Sequence, residues 1–363
     1  MRTLVSLGAG STDPRVHGGL LHAELRTLGI APDEVLDLSV NCNPYGPCRE
    51  VVEAVRAAPI DQYPDPRAHE ALEAIASLLG IDPAQVALGN GASELLWTLA
   101  HVLVRPGTGV VVVEPTFCEF RAAAGRAGGR VHEWRAKSSD AFAIDLQAVE
   151  ELVHKHEAAV LYLCAPNTPT GISVPANDVA GLAEANPNVA IVLDQSFLSL
   201  SERFSDVRTR LPGNVICVRS MTKDHAIPGI RVGYLVAAPS IVVRVEDWRP
   251  AWTTSSLAQA AAIAACGATD FVDRSREKLL ADRSKLAELL RRLGLDPVPS
   301  ATGFLIVRTG GGPLLRNRLL ANHRILVRDC SSFGLPDYIR LAARPEVERE
   351  RLAGALRQEL GRC

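Results

Sequence analysis

Six short apolar runs, continuous in hydrophobicity rather than alternating, constrain this chain more than any other feature. They read VLDLSV (35–40), GVVVVE (109–114), AVLYLC (159–164), VAIVLD (189–194), NVICVR (214–219) and VGYLVA (232–237). Each is rich in β-branched residues and bounded by Gly, Pro or Asn, the pattern of strands buried on both faces. Helix-period segments lie between them: SELLWTLAHVL (93–103), DLQAVEELVHKH (145–156) and ANDVAGLAEA (176–185). That alternation predicts an α/β fold, a parallel-rich sheet covered by helices on both faces. Helical patterning then runs from Pro239 to about Leu293, broken at GATD (267–270). Strand-like GFLIVR (303–308), RILVRD (324–329) and YIRLAA (338–343) follow, with a last helix from about Pro345. The C-terminal third therefore reads as a separate small α+β domain. GGG at 310–312 reads as a turn, and no internal repeat or low-complexity linker is visible.

Charge excludes several partners. Lys+Arg (39) nearly cancels Asp+Glu (41), so nothing argues for nucleic acid or an anionic membrane surface. No apolar stretch reaches the roughly 18 residues that a spanning helix needs. The opening MRTLVSLGAGSTDPR has too short an apolar run for a secretory signal, so a cytoplasmic protein is expected. The eight cysteines are scattered without a CxxC pair, several of them in apolar runs, and read as buried free thiols. The nine histidines show no metal-ligand spacing, so no metal is expected.

Ligand sites of open α/β sheets collect at the carboxyl ends of parallel strands. The run VAIVLD ends in Asp194, and NVICVR is followed by Ser220, Thr222 and Lys223. A carboxylate after five apolar residues is desolvated and needs a cationic or protonated partner. Lys223 could supply the charge as a buried ion pair. A protonated heterocycle would serve as well, leaving the lysine amine free for covalent chemistry.

Lys223 within SMTKDHAIPGIRVGY, with Asp194, APNTPTG and GNGASE, resembles the fold-type I, class I/II aminotransferases that use pyridoxal 5′-phosphate. The motifs follow the family's order and cover about residues 17–345. The resemblance implies a large, mostly parallel, seven-stranded-type α/β/α domain and a small C-terminal α+β domain. It divides the chain into an N-terminal arm and first strand (1–45), a large cofactor-binding domain (46–245), and an interdomain helix with the small domain (246–363). It also implies that Lys223 holds the cofactor as a Schiff base and carries protons, while Asp194 keeps the pyridine nitrogen protonated. Asn167 would donate to the ring's phenolic oxygen and Phe117 would stack on its face. Gly91, Ala92 and Ser93, opening a helix, would hold the phosphate with Ser220, Thr222 and Arg231. Tyr63, in DQYPDP, resembles a tyrosine that reaches the phosphate from the partner subunit, which implies a homodimer with shared active sites.

Within the family, VHGGLLHAELRTLGIAPDEVLDLSVNCNPYGPC (16–48) resembles the L-threonine-O-3-phosphate decarboxylases of cobalamin biosynthesis. That resemblance implies release of CO₂ from a phosphorylated amino acid. The alternatives are an aminotransferase of histidinol-phosphate type, or a specialised enzyme acting on another small anionic amino acid. By the same resemblance Arg340 binds the substrate carboxylate, and Arg328, with His17 and Asn41, binds its phosphate. Asp329 is expected to point away from Arg328, because side chains alternate along a strand. Three stretches depart from the family. The usual Asp-Glu-Ala-aromatic is Asp194-Gln195-Ser196-Phe197; Asp224 and His225 follow the lysine in place of aromatics; and AWTTSS (251–256) replaces Pro-Trp-x-Val-Asn. Asp224 and His225 either tune the lysine or turn away into a helix start.

Overall fold

The computed structural model describes residues 17–361, so the opening segment lies outside the described residues. Twelve helices occur in them: α1 (His22–Leu28), α2 (Arg49–Ala57), α3 (His69–Leu79), α4 (Ala92–Leu103), α5 (Glu119–Arg126), α6 (Leu146–Lys155), α7 (Ala176–Ala185), α8 (Pro239–Trp248), α9 (Ser256–Gly267), α10 (Thr269–Arg292), α11 (Gly312–His323) and α12 (Glu346–Leu360). The strands are β1 (Leu36–Asp37), β2 (Val86–Gly89), β3 (Gly109–Glu114), β4 (Arg130–Arg135), β5 (Val160–Cys164), β6 (Ala190–Asp194), β7 (Val215–Ser220), β8 (Gly233–Val236), β9 (Phe304–Arg308), β10 (Ile325–Leu326), β11 (Arg328–Asp329) and β12 (Tyr338–Ala342). They form two compact units, one of residues 42–281 and 299–303, the other of the remainder.

The large unit is built on a seven-stranded sheet ordered β2-β8-β7-β6-β5-β3-β4. The strands from β7 to β4 are all parallel, and β8 is antiparallel to both β7 and β2. Only twelve residues join β7 to β8, too short a link to carry a covering helix back for a parallel return. That link is the segment carrying Lys223.

The sheet's two faces explain the continuous runs. On β3, Val110 and Val112 pack into one core with Leu95, Leu96 and Leu99 of α4 and Phe120 of α5. Val111 and Val113 pack into the opposite core with Val149 of α6 and Val179 of α7. Each fully buried valine of this kind contributes about 1.5–3 kcal/mol. A third core joins β2 and β8 to Val51, Ile75 and Ala261 of α2, α3 and α9.

Two strands of this sheet lacked the expected signal. β4 reads RVHEWR and is half-exposed at the edge, so one of its faces is polar. β2 is buried but only four residues long.

In the small unit, β9, β12 and β11 form an antiparallel sheet, and β1 pairs with β10 in parallel. The run 35–40 therefore belongs to a two-stranded sheet outside the seven-stranded one. It ends early because the Asp37 carboxylate accepts from Ser39 N at 2.8 Å and Ser39 Oγ at 2.6 Å, closing a turn. Leu25, Ile30, Leu320 and Leu326 form the core under that sheet.

Among the described residues, Cys48, Cys118, Cys164, Cys217 and Cys330 are buried free thiols, and no helix is long and apolar enough to cross a membrane.

Candidate active site

The carboxyl ends of β5, β6 and β7 lie side by side, with Cys164 in register with Asp194 and Asp194 in register with Val218. Asp194 is 2% exposed. Its Oδ2 accepts from Tyr162 Oη at 3.1 Å and its Oδ1 from Ser196 N at 2.9 Å. Burial first, then the Asp194 charge, drives the Tyr162 phenol well above its ordinary pKa, so it stays a donor. Tyr162 escaped the motif reading. Its signal was a lone phenol inside a fully buried strand, which must find a polar partner.

Lys223 follows β7, and its Nζ lies 5.5 Å from the centre of the Phe197 ring. Its carbonyl accepts from Asn43 N at 2.9 Å, and Asn43 Nδ2 donates to the Asp224 carbonyl at 2.8 Å. A buried asparagine thus ties down the lysine's backbone from both residues, another contribution absent from the motif.

The APNTPTG segment is a tight turn in which Asn167 N donates to Ile172 O at 2.7 Å and Gly171 N to Asn167 O at 2.8 Å. Gly171 is required there: its φ is +76°, and an added Cβ would lie 2.0 Å from Ser300 Oγ. Asn167 Oδ1 accepts from Thr116 Oγ1 at 2.9 Å. Both hydrogens of its amide are engaged, with Pro115 O at 2.8 Å and Thr170 Oγ1 at 2.9 Å. Its expected bond to a cofactor oxygen therefore exchanges one of these. Phe117 is half-buried against the core next to β3.

At the other side of β7, Gly91 caps α4 with φ +80°. The first-turn N–H groups of a helix have no intrahelical acceptor. An alanine Cβ at Gly91 would stand 2.6 Å from Arg231 Nη2, so the guanidinium lies directly against the helix start. The Ser220 and Thr222 hydroxyls are 2.7 Å apart and buried. A helix N-terminus, paired hydroxyls and a guanidinium where a side chain would not fit make a cradle suited to a phosphate monoester. With a buried carboxylate and a lysine at neighbouring strand ends, the donor set fits pyridoxal phosphate.

Tyr63 is 80% exposed and packs its ring 4.6 Å from that of Trp252 in AWTTSS. Of the other departures, Gln195 Oε1 accepts from buried Arg219 Nε at 2.9 Å, so this position keeps an acceptor without a charge. Asp224 and His225 are buried in a turn, not in a helix start.

In the small unit, Arg328 and Arg340 are register partners on β11 and β12, 4% and 7% exposed. Arg340 donates to Ser39 O at 2.6 Å and lies over the Phe304 ring at 5.5 Å. Placing the Asn41 amide oxygen toward it brings that oxygen to 3.2 Å from Nη1. Burial lowers the Arg340 guanidinium to about 10, the Cys330 thiol pulling it back up and the Arg328 charge adding to the fall. Arg328 Nη2 donates to Ser332 Oγ at 2.5 Å. One expectation fails here. Asp329 Oδ2 lies 3.6 Å from Arg328 Nη1, because β11 is only two residues long and does not sustain the alternation of a longer strand. His17 is exposed.

Residues 33–357 match the family described as aminotransferase class I and II. The chain is 31% identical to histidinol-phosphate aminotransferase 2 of Ralstonia nicotianae over 361 residues, covering 96% of this chain and 95% of the relative. It is also 31% identical to histidinol-phosphate aminotransferase of Symbiobacterium thermophilum, covering 96% of each. The crystal structure of histidinol-phosphate aminotransferase from Sinorhizobium meliloti, in complex with pyridoxal 5′-phosphate, is similar at TM-score 0.85 and 27% identity, over 98% of both chains. L-threonine-O-3-phosphate decarboxylase from Porphyromonas gingivalis is less similar, at TM-score 0.72 and 26% identity, over 86% of this chain and 94% of that one. The full-length relatives overturn the decarboxylase expectation: its evidence was an N-terminal motif, whereas the whole chain aligns with histidinol-phosphate aminotransferases. The chain belongs to the class I and II aminotransferase family, has its fold type, and is a pyridoxal-phosphate-dependent enzyme.

Proposed function

We propose that this enzyme is an aminotransferase of histidinol-phosphate type, moving an amino group between a phosphorylated amino alcohol and an oxo acid. The observation that carries the reading is the 31% identity to such an enzyme along 96% of the chain, together with a phosphate cradle beside Lys223 and Asp194. Pyridoxal phosphate, when bound, supplies the electron sink for the carbon that bears the amino group.

The chain's own groups do the rest. Asp194, itself held by Tyr162 and the Ser196 amide, keeps a proton on the pyridine nitrogen. Lys223 holds the cofactor through its amine and then moves the proton at the reacting carbon. The amides of Gly91, Ala92 and Ser93, with Ser220, Thr222 and Arg231, hold the phosphate. Asn167 and Phe117 orient the ring. Arg340 binds the carboxylate of the oxo or amino acid, and Arg328, with His17 and Asn41, takes the substrate phosphate. The contact with Asp329 offsets part of the Arg328 charge.

A homodimer is part of this reading. Ile60 and Tyr63 are 83% and 80% exposed on the large unit. Apolar side chains grouped in this way favour a covering partner surface, and Tyr63 would then serve the partner's cofactor phosphate.

The test is an amino-transfer assay on the holoenzyme with histidinol phosphate and 2-oxoglutarate, reading glutamate. A protein with the cofactor's absorption band that forms no glutamate from this pair overturns the reading.

A further inference from the structure

Lys223 lies in neither a strand nor a helix. It stands in the turn between β7 and β8, where no ladder or helix fixes the backbone. Its side chain is a long flexible stem, so the amine stays aimed only if that backbone is held. Within the turn Ile227 N donates to Thr222 O at 3.0 Å, but Ala226 N reaches Lys223 O only at 3.4 Å. Ala226 also has a left-handed φ of +54°. A non-glycine residue in that region persists only where its surroundings impose it.

The restraint comes from residues 43–48, distant in sequence and part of the same unit. Three successive carbonyls of the turn accept from them: Lys223 O from Asn43 N at 2.9 Å, Asp224 O from Asn43 Nδ2 at 2.8 Å, and His225 O from Cys48 N at 3.1 Å. Asn43 is 3% exposed and Cys48 is fully buried, so water does not compete for these bonds. Asn43 Oδ1 accepts from Tyr45 N at 3.0 Å, which fixes the orientation of the amide. Between the two contact points Gly46 passes so close that an added Cβ would stand 2.7 Å from Ala226 Cβ. Hydrogen bonds at both ends and a steric stop between them make a clamp on the lysine turn.

We propose that Asn43 is a positioning residue for Lys223, holding the turn through this clamp so that the amine keeps its aim, and acting through the lysine rather than on the substrate. The inference rests on Lys223 as the cofactor lysine and on no particular substrate. A reacting group displaced by about 1 Å can lose a hundredfold in rate, so freeing even one of these carbonyls matters.

Two substitutions separate the clamp from the local loop. Asn43→Ser keeps a short side-chain acceptor for Tyr45 N but cannot span the distance to the Asp224 carbonyl. Asn43→Ala removes both side-chain bonds. Borohydride reduction of each holoenzyme, followed by peptide mass spectrometry, locates the cofactor; a label on another lysine removes the reading of Lys223 and this proposal with it. Visible circular dichroism per bound cofactor reports how rigidly the site holds it. That signal should fall in both variants, with far-UV circular dichroism unchanged. With L-glutamate as amino donor, the maximal rate of change of the cofactor band should fall about tenfold to a hundredfold, at nearly unchanged half-saturation. Deuterium at Cα of glutamate should slow the variants more than wild type, because proton movement by the lysine amine becomes the slow step. Wild type that does not react with glutamate counts against the function proposed above, and the dichroism then decides this inference alone. Label on Lys223 with wild-type dichroism in Asn43→Ser, whatever its unfolding midpoint, assigns Asn43 to the local loop and overturns the proposal.

Discussion

Replacing Asp224 with asparagine should flatten the enzyme's loss of stability as pH rises from about 4 to about 7. The carboxyl is 7% exposed and its folded value is raised from 3.8 to about 7, chiefly by desolvation. The direction follows from linkage. An acid whose folded pKa lies above its unfolded one is easiest to bury while protonated, so stability is intact below pH 4 and falls as pH rises toward 7. Integrating between those values, the cost of keeping Asp224 buried is about 2 kcal/mol at pH 5 and about 4 kcal/mol at pH 8. Wild type should therefore lose about 2–3 kcal/mol relative to Asp224→Asn over that interval. His225 acts in the opposite sense, losing stability as pH falls from 6.5 toward 4. It is present in both proteins and cancels in the comparison, as do the cofactor's own titrations. Urea unfolding of both holoenzymes, followed by circular dichroism at pH 5, 6.5 and 8, measures the difference. With a slope of 3 kcal/mol/M or more, as expected for a chain of this size, the wild-type midpoint should fall by about 0.5–1 M relative to the variant. Midpoints that move in parallel would refute the argument that Asp224 is buried as an acid.

Lys223→Ala should abolish turnover while leaving the fold intact, and borohydride should no longer fix the cofactor to the chain; retained activity would end the proposed role. Gly91→Ala should weaken cofactor retention on dialysis, because its Cβ would meet Arg231 at 2.6 Å in a backbone conformation that disfavours alanine; unchanged retention would place the phosphate elsewhere. Mixing inactive Tyr63→Ala and Lys223→Ala chains should restore part of the activity if Tyr63 acts across a dimer, and a monomer active in sedimentation would exclude it. Arg328→Ala should lower kcat/KM on a phosphorylated substrate about thirty- to a thousandfold, and that on the unphosphorylated analogue hardly at all. Equal losses would assign Arg328 to its contact with Asp329 instead.

Decarboxylation and transamination draw on the same lysine, aspartate and arginines, so the N-terminal motif that suggested CO₂ release could not separate them. The comparison along the whole chain sides with the histidinol-phosphate aminotransferases, because it weighs every position rather than one arm.

The elements legible in the sequence are those whose environment is uniform. β3, β5, β6 and β7 are buried on both faces, so each must be apolar at nearly every position, and the polar residues that end them stand out. Asp194 and Lys223 were legible for that reason. β4 was not, because an edge strand with one wet face has no such uniform run. Contacts made across distant segments were equally hidden. Tyr162 reaches Asp194 over 32 residues, Asn43 reaches the Asp224 carbonyl over 181, and Asp329 turns to Arg328 because its strand is too short to hold it away. Tertiary packing alone leaves Asp224 Oδ1 and His225 Nδ1 buried without hydrogen-bond partners. Sequence records which groups are polar, but whether a buried polar atom finds a partner depends on what several segments bring to the same few ångströms.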